Sequence, residues 1–173
     1  RNAARRRRGQ RRFGHAPSDL GSVFGDDYLL RAAVAMDQIY VLPREEALYP
    51  NARLDADGRV LDGRNSYELR FAKGEAPPVR FFWSVTMYDA GTHAFIRSND
   101  KYSVSSQTPG LITNDEGTVD IHFAPHAAAG EEANTIETGD STVFELMFRF
   151  YGVGQDVMAK RWALSDVVRV ARL

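Results

Sequence analysis

The longest run of aromatic and β-branched residues in the chain covers residues 81–89, between Pro77-Pro78 and the turn residues Asp89-Ala90-Gly91. Successive side chains of a strand point to opposite faces, so this run has two distinct sides. The first side is apolar and is predicted to lie in the core; it consists of Phe81, Trp83, Val85 and Met87. We expect the second side to face a polar pocket or to pack under an ordered loop; it consists of Phe82, Ser84, Thr86 and Tyr88.

Four further segments alternate between apolar and polar residues, which is typical of half-buried antiparallel strands. They cover residues 66–72, 101–106, 118–124 and 142–151. Short strands are also expected near residues 94–96 and 167–171. The chain is therefore predicted to be all-β, with an antiparallel β-sandwich or jelly-roll-like fold. Because helical segments do not alternate with these strands, a nucleotide-binding α/β fold is excluded.

Residues 22–40 have the three- and four-residue spacing of apolar side chains that predicts an amphipathic helix. Asp26 and Asp27 fall in its expected first turn, and Pro43 follows its end. We expect this helix to pack on the sheets. Residues 22–173 are predicted to form a single β domain with this helix as an N-terminal extension.

The N-terminal segment is strongly basic, with seven arginines and no acidic residue in positions 1–12. Residues 1–21 show no periodic apolar pattern and are expected to form a disordered leader; an arm that binds nucleic acid or an anionic membrane is the alternative. Without these arginines, 15 of the 22 Lys and Arg residues remain against 23 Asp and Glu. An acidic body argues against a nucleic-acid partner. No apolar window reaches the roughly 18–20 residues of a membrane span.

Neither a metal nor a cofactor is expected. The absence of cysteine excludes disulfides, thiolate metal sites and a cysteine nucleophile. His122 and His126 have the spacing of metal ligands, but in an extended chain their side chains lie about 13 Å apart; a bend at Pro125 is the alternative. The Asp55-Ala56-Asp57-Gly58 segment resembles the start of a calcium loop without its closing acid, and its turn chemistry favours a short β-arm.

The catalytic candidates are polar residues of the predicted strands. Glu145, His122 and Arg149 supply an acid, a base and a cation. Ser84 lies within a strand and lacks a Gly-x-Ser-x-Gly turn, so it is interpreted as a hydroxyl that lines a face. His93 is interpreted as a solvated loop histidine. The alternative for the whole polar face is a solvated surface whose cross-strand pairs are each worth a few tenths of a kcal/mol.

Arg149 is the most informative polar position, because Met147 and Tyr151 flank it on the same strand face. We expect it to be partly covered and to pair with a carboxylate, that of Glu68 or Asp120. The residues predicted to bind a ligand are Ser84, Tyr88, Asn99, Lys101, Arg149 and Tyr151.

The chain also carries an ordered set of motifs over about residues 22–170. They are Phe24-Gly25-x-Asp27-Tyr28-Leu29-x-Arg31-Ala32, Asp57-Gly58-x-x-Leu61-x-Gly63, Tyr67-x-Leu69-x-Phe71, Pro77-Pro78, Phe82-Trp83-Ser84-Val85-Thr86-Met87-Tyr88-Asp89, Asn99-x-x-Tyr102-Ser103, Asp115-x-Gly117, Phe148-Arg149-x-Tyr151 and Trp162. In this order they resemble the DUF1214 domain family. The chain departs from that family at Asn134-Thr135-Ile136-Glu137, where Asn-Trp-Leu-Pro is usual, and at Tyr151-Gly152, where Tyr-Pro is usual. If the missing Trp and Pro shape a ligand wall, the site of this member is altered or lost.

The resemblance implies an all-β fold without a settled activity. It also implies a periplasmic or cell-envelope location in bacteria. Many members have a preceding DUF1254-type domain, which is then the expected partner, and others have this domain alone, sometimes after a membrane anchor. We therefore expect an extracytoplasmic β-sandwich module that binds a small-molecule ligand or assembles within a larger envelope protein. The alternative is a hydrolase or lyase that acts on a small or carbohydrate-like substrate through the polar sheet face. A concave pocket where a base and a cation converge would favour the enzyme, and a flat face would favour the module.

Overall fold

Two β-sheets pack face to face in the computed structural model, which describes residues 13–14, 24–37, 42–96, 100–139 and 143–171. The strands in these ranges are β1 (Phe13–Gly14), β2 (Ala47–Leu48), β3 (Asn51–Ala52), β4 (Ser66–Phe71), β5 (Val79–Asp89), β6 (Ser103–Ser105), β7 (Val119–Ala124), β8 (Thr135–Glu137), β9 (Phe144–Val153) and β10 (Val167–Val170). The helices are α1 (Tyr28–Asp37) and α2 (Gln155–Met158).

The first sheet has the strand order β1-β3-β9-β5-β6, with β2 also paired to β9, and the second sheet has the order β10-β4-β7-β8. The predicted all-β, two-sheet architecture is confirmed. The described pairs are antiparallel except β7–β8, which is parallel. This exception departs from the predicted antiparallel fold, because β8 is a three-residue strand too short for an alternating pattern to reveal it. The jelly-roll connectivity stays a prediction.

The apolar faces of the two sheets form one core. Val85, Leu146 and Phe148 enter it from the first sheet, and Leu69 and Phe123 enter it from the second; each is exposed by 1% or less. Since alternate side chains of a strand point to opposite faces, the residues between these positions face outward. The outward polar residues of β5 and β9 therefore lie on the opposite side of the sandwich from those of β4 and β7.

The strand predicted over residues 81–89 is confirmed as β5, but its alternation does not start where the sequence predicts. A bulge between Val79 and Phe82 shifts the register of β5 against β9. Phe81 is 63% exposed, whereas Trp83 is 5% exposed and lies in the core. The predicted core position of Phe81 is therefore wrong, because the bulge interrupts the two-residue period at this point.

The helix α1 begins at Tyr28, later than the predicted start at residue 22, and covers less of the sheets than expected; residues 38–40 lie outside the described ranges. Oδ1 of Asp27 accepts a hydrogen bond from the main-chain N–H of Leu30 (2.9 Å), which caps the start of the helix. Val34 is buried, but Tyr28 and Leu29 are 71% and 82% exposed. Most of the apolar face that was expected to pack on the sheets is therefore exposed.

Other predicted elements have mixed outcomes. The short β-arm near Asp55 is confirmed by a bridge between Leu54 and Val60. The segment 94–96 is irregular instead of a strand. In the predicted leader, Phe13–Gly14 pairs with β3, and the other residues of 1–21 lie outside the described ranges. In the described part of the chain, no helix has the length and apolar character needed to cross a membrane.

Candidate functional site

An open groove of about 400 Å³ lies on the outer face of the first sheet. It is lined by Thr86, Tyr88, Phe95, Asp100, Lys101, Tyr102, Ser103 and Arg149. Strand pairing explains why distant parts of the chain meet here. Thr86 of β5 lies opposite Ser103 of β6 on one side, and Arg149 of β9 lies opposite Ser84 of β5 on the other. We call this site the Arg149 groove.

The guanidinium of Arg149 is held by two neutral hydroxyls. Its Nη1 donates a hydrogen bond to Oγ1 of Thr86 (2.8 Å), and its Nη2 donates to the phenol oxygen of Tyr88 (2.7 Å). The guanidinium carbon also lies 5.8 Å from the centre of the Tyr88 ring. Among the ion pairs of the described residues, none brings a carboxylate within 4.0 Å of Arg149. Its positive charge is therefore oriented but not neutralised by an acidic partner in the described chain.

This arrangement corrects the predicted partners of Arg149. Glu68 and Asp120 lie on the second sheet and contact Arg70 instead. Nε and Nη2 of Arg70 donate to the two carboxylate oxygens of Asp120 (2.6 and 3.0 Å), and Glu68 lies 3.4 Å from Nη2. The prediction failed because it could not assign the strands to sheets.

Aromatic rings form one wall of the Arg149 groove. The ring of Phe95 stacks on Tyr88 with centroids 5.1 Å apart and an interplanar angle of 18°. It also stacks on Tyr102 at 4.7 Å and 24°. Aromatic surface next to a fixed cation gives the groove a mixed apolar and cationic character.

Lys101 contributes a second positive charge, but its ammonium group has a structural role. Nζ donates hydrogen bonds to the main-chain oxygens of Glu132 and Ala133, both at 2.6 Å. Burial lowers the pKa of Lys101, because desolvation disfavours its charged form. Lys101 thus ties the segment before β6 to the segment before β8, and Asp100 places one acidic side chain at the same groove.

A second polar cluster lies beside the Arg149 groove, around Glu145 of β9. This carboxylate lies opposite Tyr88 of β5 and is 7% exposed. Its Oε2 accepts a hydrogen bond from Nε of Arg53 (2.7 Å), and its Oε1 lies 2.7 Å from Nδ1 of His93. The interpretation of His93 as a solvated histidine is therefore incomplete: its side chain is 61% exposed, but one ring nitrogen is fixed by a buried carboxylate.

The turn that carries His93 is held firmly. Oδ1 of Asp89 accepts hydrogen bonds from the main-chain N–H groups of Gly91 (3.0 Å) and Thr92 (2.8 Å) and from the Thr92 hydroxyl (2.9 Å). The bonds from Thr92 are the main reason why the pKa of Asp89 lies below its usual range. His93 has a φ of 56°, a left-handed conformation that is uncommon outside glycine and is often found at functional sites.

The comparisons with known proteins assign the chain to a family. The model of the DUF1214 family, described as a protein of unknown function, matches residues 46–155, which is more than half of the chain. The chain belongs to the DUF1214 family. All residues that line the Arg149 groove fall within the matched range.

One solved structure with a TM-score above 0.5 has the same fold, and the search of curated proteins found no match. The VPA0106 protein from Vibrio parahaemolyticus is 23% identical over 82% of this chain, with a TM-score of 0.68. An uncharacterized protein from Burkholderia cenocepacia is 16% identical over 97% of this chain, with a TM-score of 0.47. The DUF1214 chain spans 35% of the first protein and 49% of the second.

Only half of the six predicted ligand-binding residues of this DUF1214 chain line the groove. Tyr88, Lys101 and Arg149 share the groove, and Asn99 lies outside the described residues. Ser84 is buried beside the groove and does not line it. Tyr151 lies farther along β9, where its ring packs on Phe82 and Tyr49.

The predicted catalytic residues do not come together. Glu145 and Arg149 share the outer face of the first sheet, but His122 lies on β7 of the second sheet. His122 is 6% exposed, and its Nδ1 has no hydrogen-bond partner among the described residues. In those residues no group of three or more His, Asp and Glu side chains is arranged to hold a metal ion.

Sequence reasoning did not foresee the aromatic wall of the Arg149 groove or the carboxylate partner of His93. Phe95 and Tyr102 were assigned to strands, so their stacking was not foreseen. His93 was mentioned only as a loop residue. The one available signal was the presence of His93 and Phe95 in the short stretch directly after Asp89.

Proposed function

We propose that the DUF1214 chain is a ligand-binding module of a larger bacterial extracytoplasmic protein, and that the Arg149 groove binds a small anionic ligand. The observation that carries this proposal is the guanidinium of Arg149, which is fixed by the hydroxyls of Thr86 and Tyr88. A cation fixed by neutral groups keeps its charge available, and the planar guanidinium favours carboxylate or phosphate oxygens.

The composition of the groove supports a small molecule. Small-molecule sites usually have volumes of about 300–1,000 Å³ and combine apolar walls with a few fixed polar groups. The Arg149 groove has about 400 Å³, with aromatic rings beside two cationic residues and one acidic residue. The positive balance favours an anion.

The solved structure of the VPA0106 protein supports the proposal that this chain is one module of a larger protein. The VPA0106 protein is about three times as long as the segment that this chain matches, since the match covers 35% of it. A location in the cell envelope rests on the resemblance to DUF1214 proteins that follow a DUF1254-type domain.

A nuclear magnetic resonance titration tests the proposal with acetate, benzoate and inorganic phosphate as probes. We expect at least one anion to give saturable shifts at groove residues. Arg149→Gln should weaken that binding about tenfold or more, because a hydrogen bond to a charged group contributes about 1.5–3 kcal/mol. Arg80→Gln is the matched control, since Arg80 is an exposed arginine of β5 outside the groove and should bind like wild type. Equal binding by Arg149→Gln and wild type, or no saturable binding of any anion, contradicts the proposal.

The His93–Glu145 pair favours a second candidate function, a hydrolase or lyase that acts on a small or carbohydrate-like substrate. When Nδ1–H of His93 donates to Glu145, the exposed Nε2 is left as a proton acceptor, as in the histidines of general-base sites. Hydrolysis of 4-nitrophenyl acetate tests this function. We expect turnover above buffer that His93→Gln abolishes and that His126→Gln, a change at an exposed loop histidine, retains. Equal rates for wild type and His93→Gln rule out His93 as the base.

A further inference from the structure

Phe95 is the middle ring of a three-ring stack at the Arg149 groove. Its ring is nearly parallel to those of Tyr88 and Tyr102, at centroid distances of 5.1 and 4.7 Å. The two tyrosine rings make no direct ring contact with each other in the described chain. Phe95 therefore fills a slot between them that is one ring thick.

Phe95 fills this slot although it remains 49% exposed. It lies in an irregular segment, and no hydrogen bond between described residues uses its main chain. Its neighbours are fixed independently: the main-chain oxygen of Ala94 accepts a hydrogen bond from Asp89, and Ile96 is 7% exposed in the core. The Phe95 side chain can therefore leave the slot without breaking a strand or exposing the core.

We propose that Phe95 occupies the position of a ligand ring, and that the groove binds an aromatic or heteroaromatic carboxylate. The ligand ring would replace Phe95 between Tyr88 and Tyr102, and its carboxylate would bind Arg149. This inference rests on the proposed function of the groove. It is favoured by the connection between the two parts of the site, since Nη2 of Arg149 donates to the hydroxyl of Tyr88, one wall of the slot.

We expect a ring-bearing ligand to bind better than a simple anion, because its own apolar ring leaves water for the slot, whereas Phe95 is already 49% exposed and loses only the cover it has. A ligand ring restores both stacking contacts that Phe95 leaves, while Phe95 moves from a half-exposed position to solvent. The contact between carboxylate and guanidinium is then an additional gain. A carboxylate suits the site better than a phosphate dianion, because the ammonium of Lys101 already donates to two main-chain oxygens.

Benzoate and acetate distinguish a ring slot from a simple anion site. We expect the wild-type chain to bind benzoate at least fivefold more tightly than acetate in the same titration. Phe95→Ala should tighten benzoate binding by a further fivefold or more, because the slot is then empty, and should change acetate binding by less than twofold. Phe81→Ala is the matched control: Phe81 is also an exposed phenylalanine but lies outside the groove, so both affinities should stay at wild-type values.

Tyr102 provides the second arm of the test. In the Phe95→Ala chain, Tyr102→Leu should remove most of the gain for benzoate and leave acetate binding unchanged. The thermal midpoint and the amide spectrum of each variant show whether it is folded.

The outcomes separate failure of the slot from failure of the groove. If benzoate and acetate bind equally and both depend on Arg149, the ring slot is refuted and the anion groove stands. If Phe95→Ala leaves benzoate binding unchanged or weakens it, Phe95 does not occupy the ring position and the inference is overturned. If neither anion depends on Arg149, the proposed function itself is refuted.

Discussion

Replacing Trp83 and Phe81 by alanine, one at a time, tests the bulge that sets the two faces of β5. Trp83 is 5% exposed and packs edge-on against Phe71 at 5.2 Å, whereas Phe81 is 63% exposed. A large aromatic side chain buries about 150–250 Å². At about 25 cal/mol per Å², this area corresponds to roughly 4–6 kcal/mol for Trp83. Because the unfolded chain already buries part of this area, we expect Trp83→Ala to lower the free energy of unfolding by about 3–5 kcal/mol.

Phe81 buries much less area, so its replacement should lower the free energy of unfolding far less than that of Trp83. Little more than a third of its side chain is covered, so we expect Phe81→Ala to cost less than about 1.5 kcal/mol. Urea denaturation followed by far-ultraviolet circular dichroism measures both free energies of unfolding by linear extrapolation. Similar large losses for the two variants would show that alternation runs unbroken through residue 81, which would refute the bulge. A loss below about 1 kcal/mol for Trp83→Ala would mean that the core face has been misassigned.

Three further predictions concern pH and close packing. Hydrogen bonds from Arg64 lower the pKa of Asp62 to about 2 from the ordinary 3.8. The contribution of ionised Asp62 to the stability of the fold is therefore full above about pH 4 and is lost as pH falls through 2. The thermal midpoint of Asp62→Asn should therefore vary less than that of wild type over this range. Burial is the main cause, and the neighbouring Tyr151 the second, that raises the pKa of Tyr49 to about 12 from 10.0. The contribution of Tyr49 to stability is therefore full below pH 10 and is lost as pH rises towards 12. Tyr49→Phe should remove one late-titrating phenol from the absorbance titration at high pH and reduce the loss of stability there. Gly154→Ala should destabilise by about 1–3 kcal/mol in urea denaturation, because the new Cβ would overlap the main-chain oxygen of Pro78.

The sequence by itself determined most strands and the fold class. Alternation of apolar and polar residues is a local property, and it predicted β4, β5, β7 and β9 because each has six or more residues. It also predicted that Thr86 and Tyr88 lie away from the core, since this follows from the two-residue period alone. Shorter elements were predicted less reliably, although the segments 101–106 and 167–171 do contain the short strands β6 and β10. The three-residue β8 was missed, and the irregular segment 94–96 was mistaken for a strand.

Only the tertiary structure decided which side chains meet, because strand pairing and sheet assignment depend on contacts between distant parts of the chain. The register of β5 against β9 brings Arg149 to the hydroxyl of Tyr88, 61 positions earlier in the chain. Because β7 belongs to the second sheet, His122 lies far from Glu145. The histidine that contacts Glu145 is instead His93, in the turn after β5. A periodic pattern records which face a side chain occupies but not which strand lies beside it, so the partners in the groove follow from the packed structure alone.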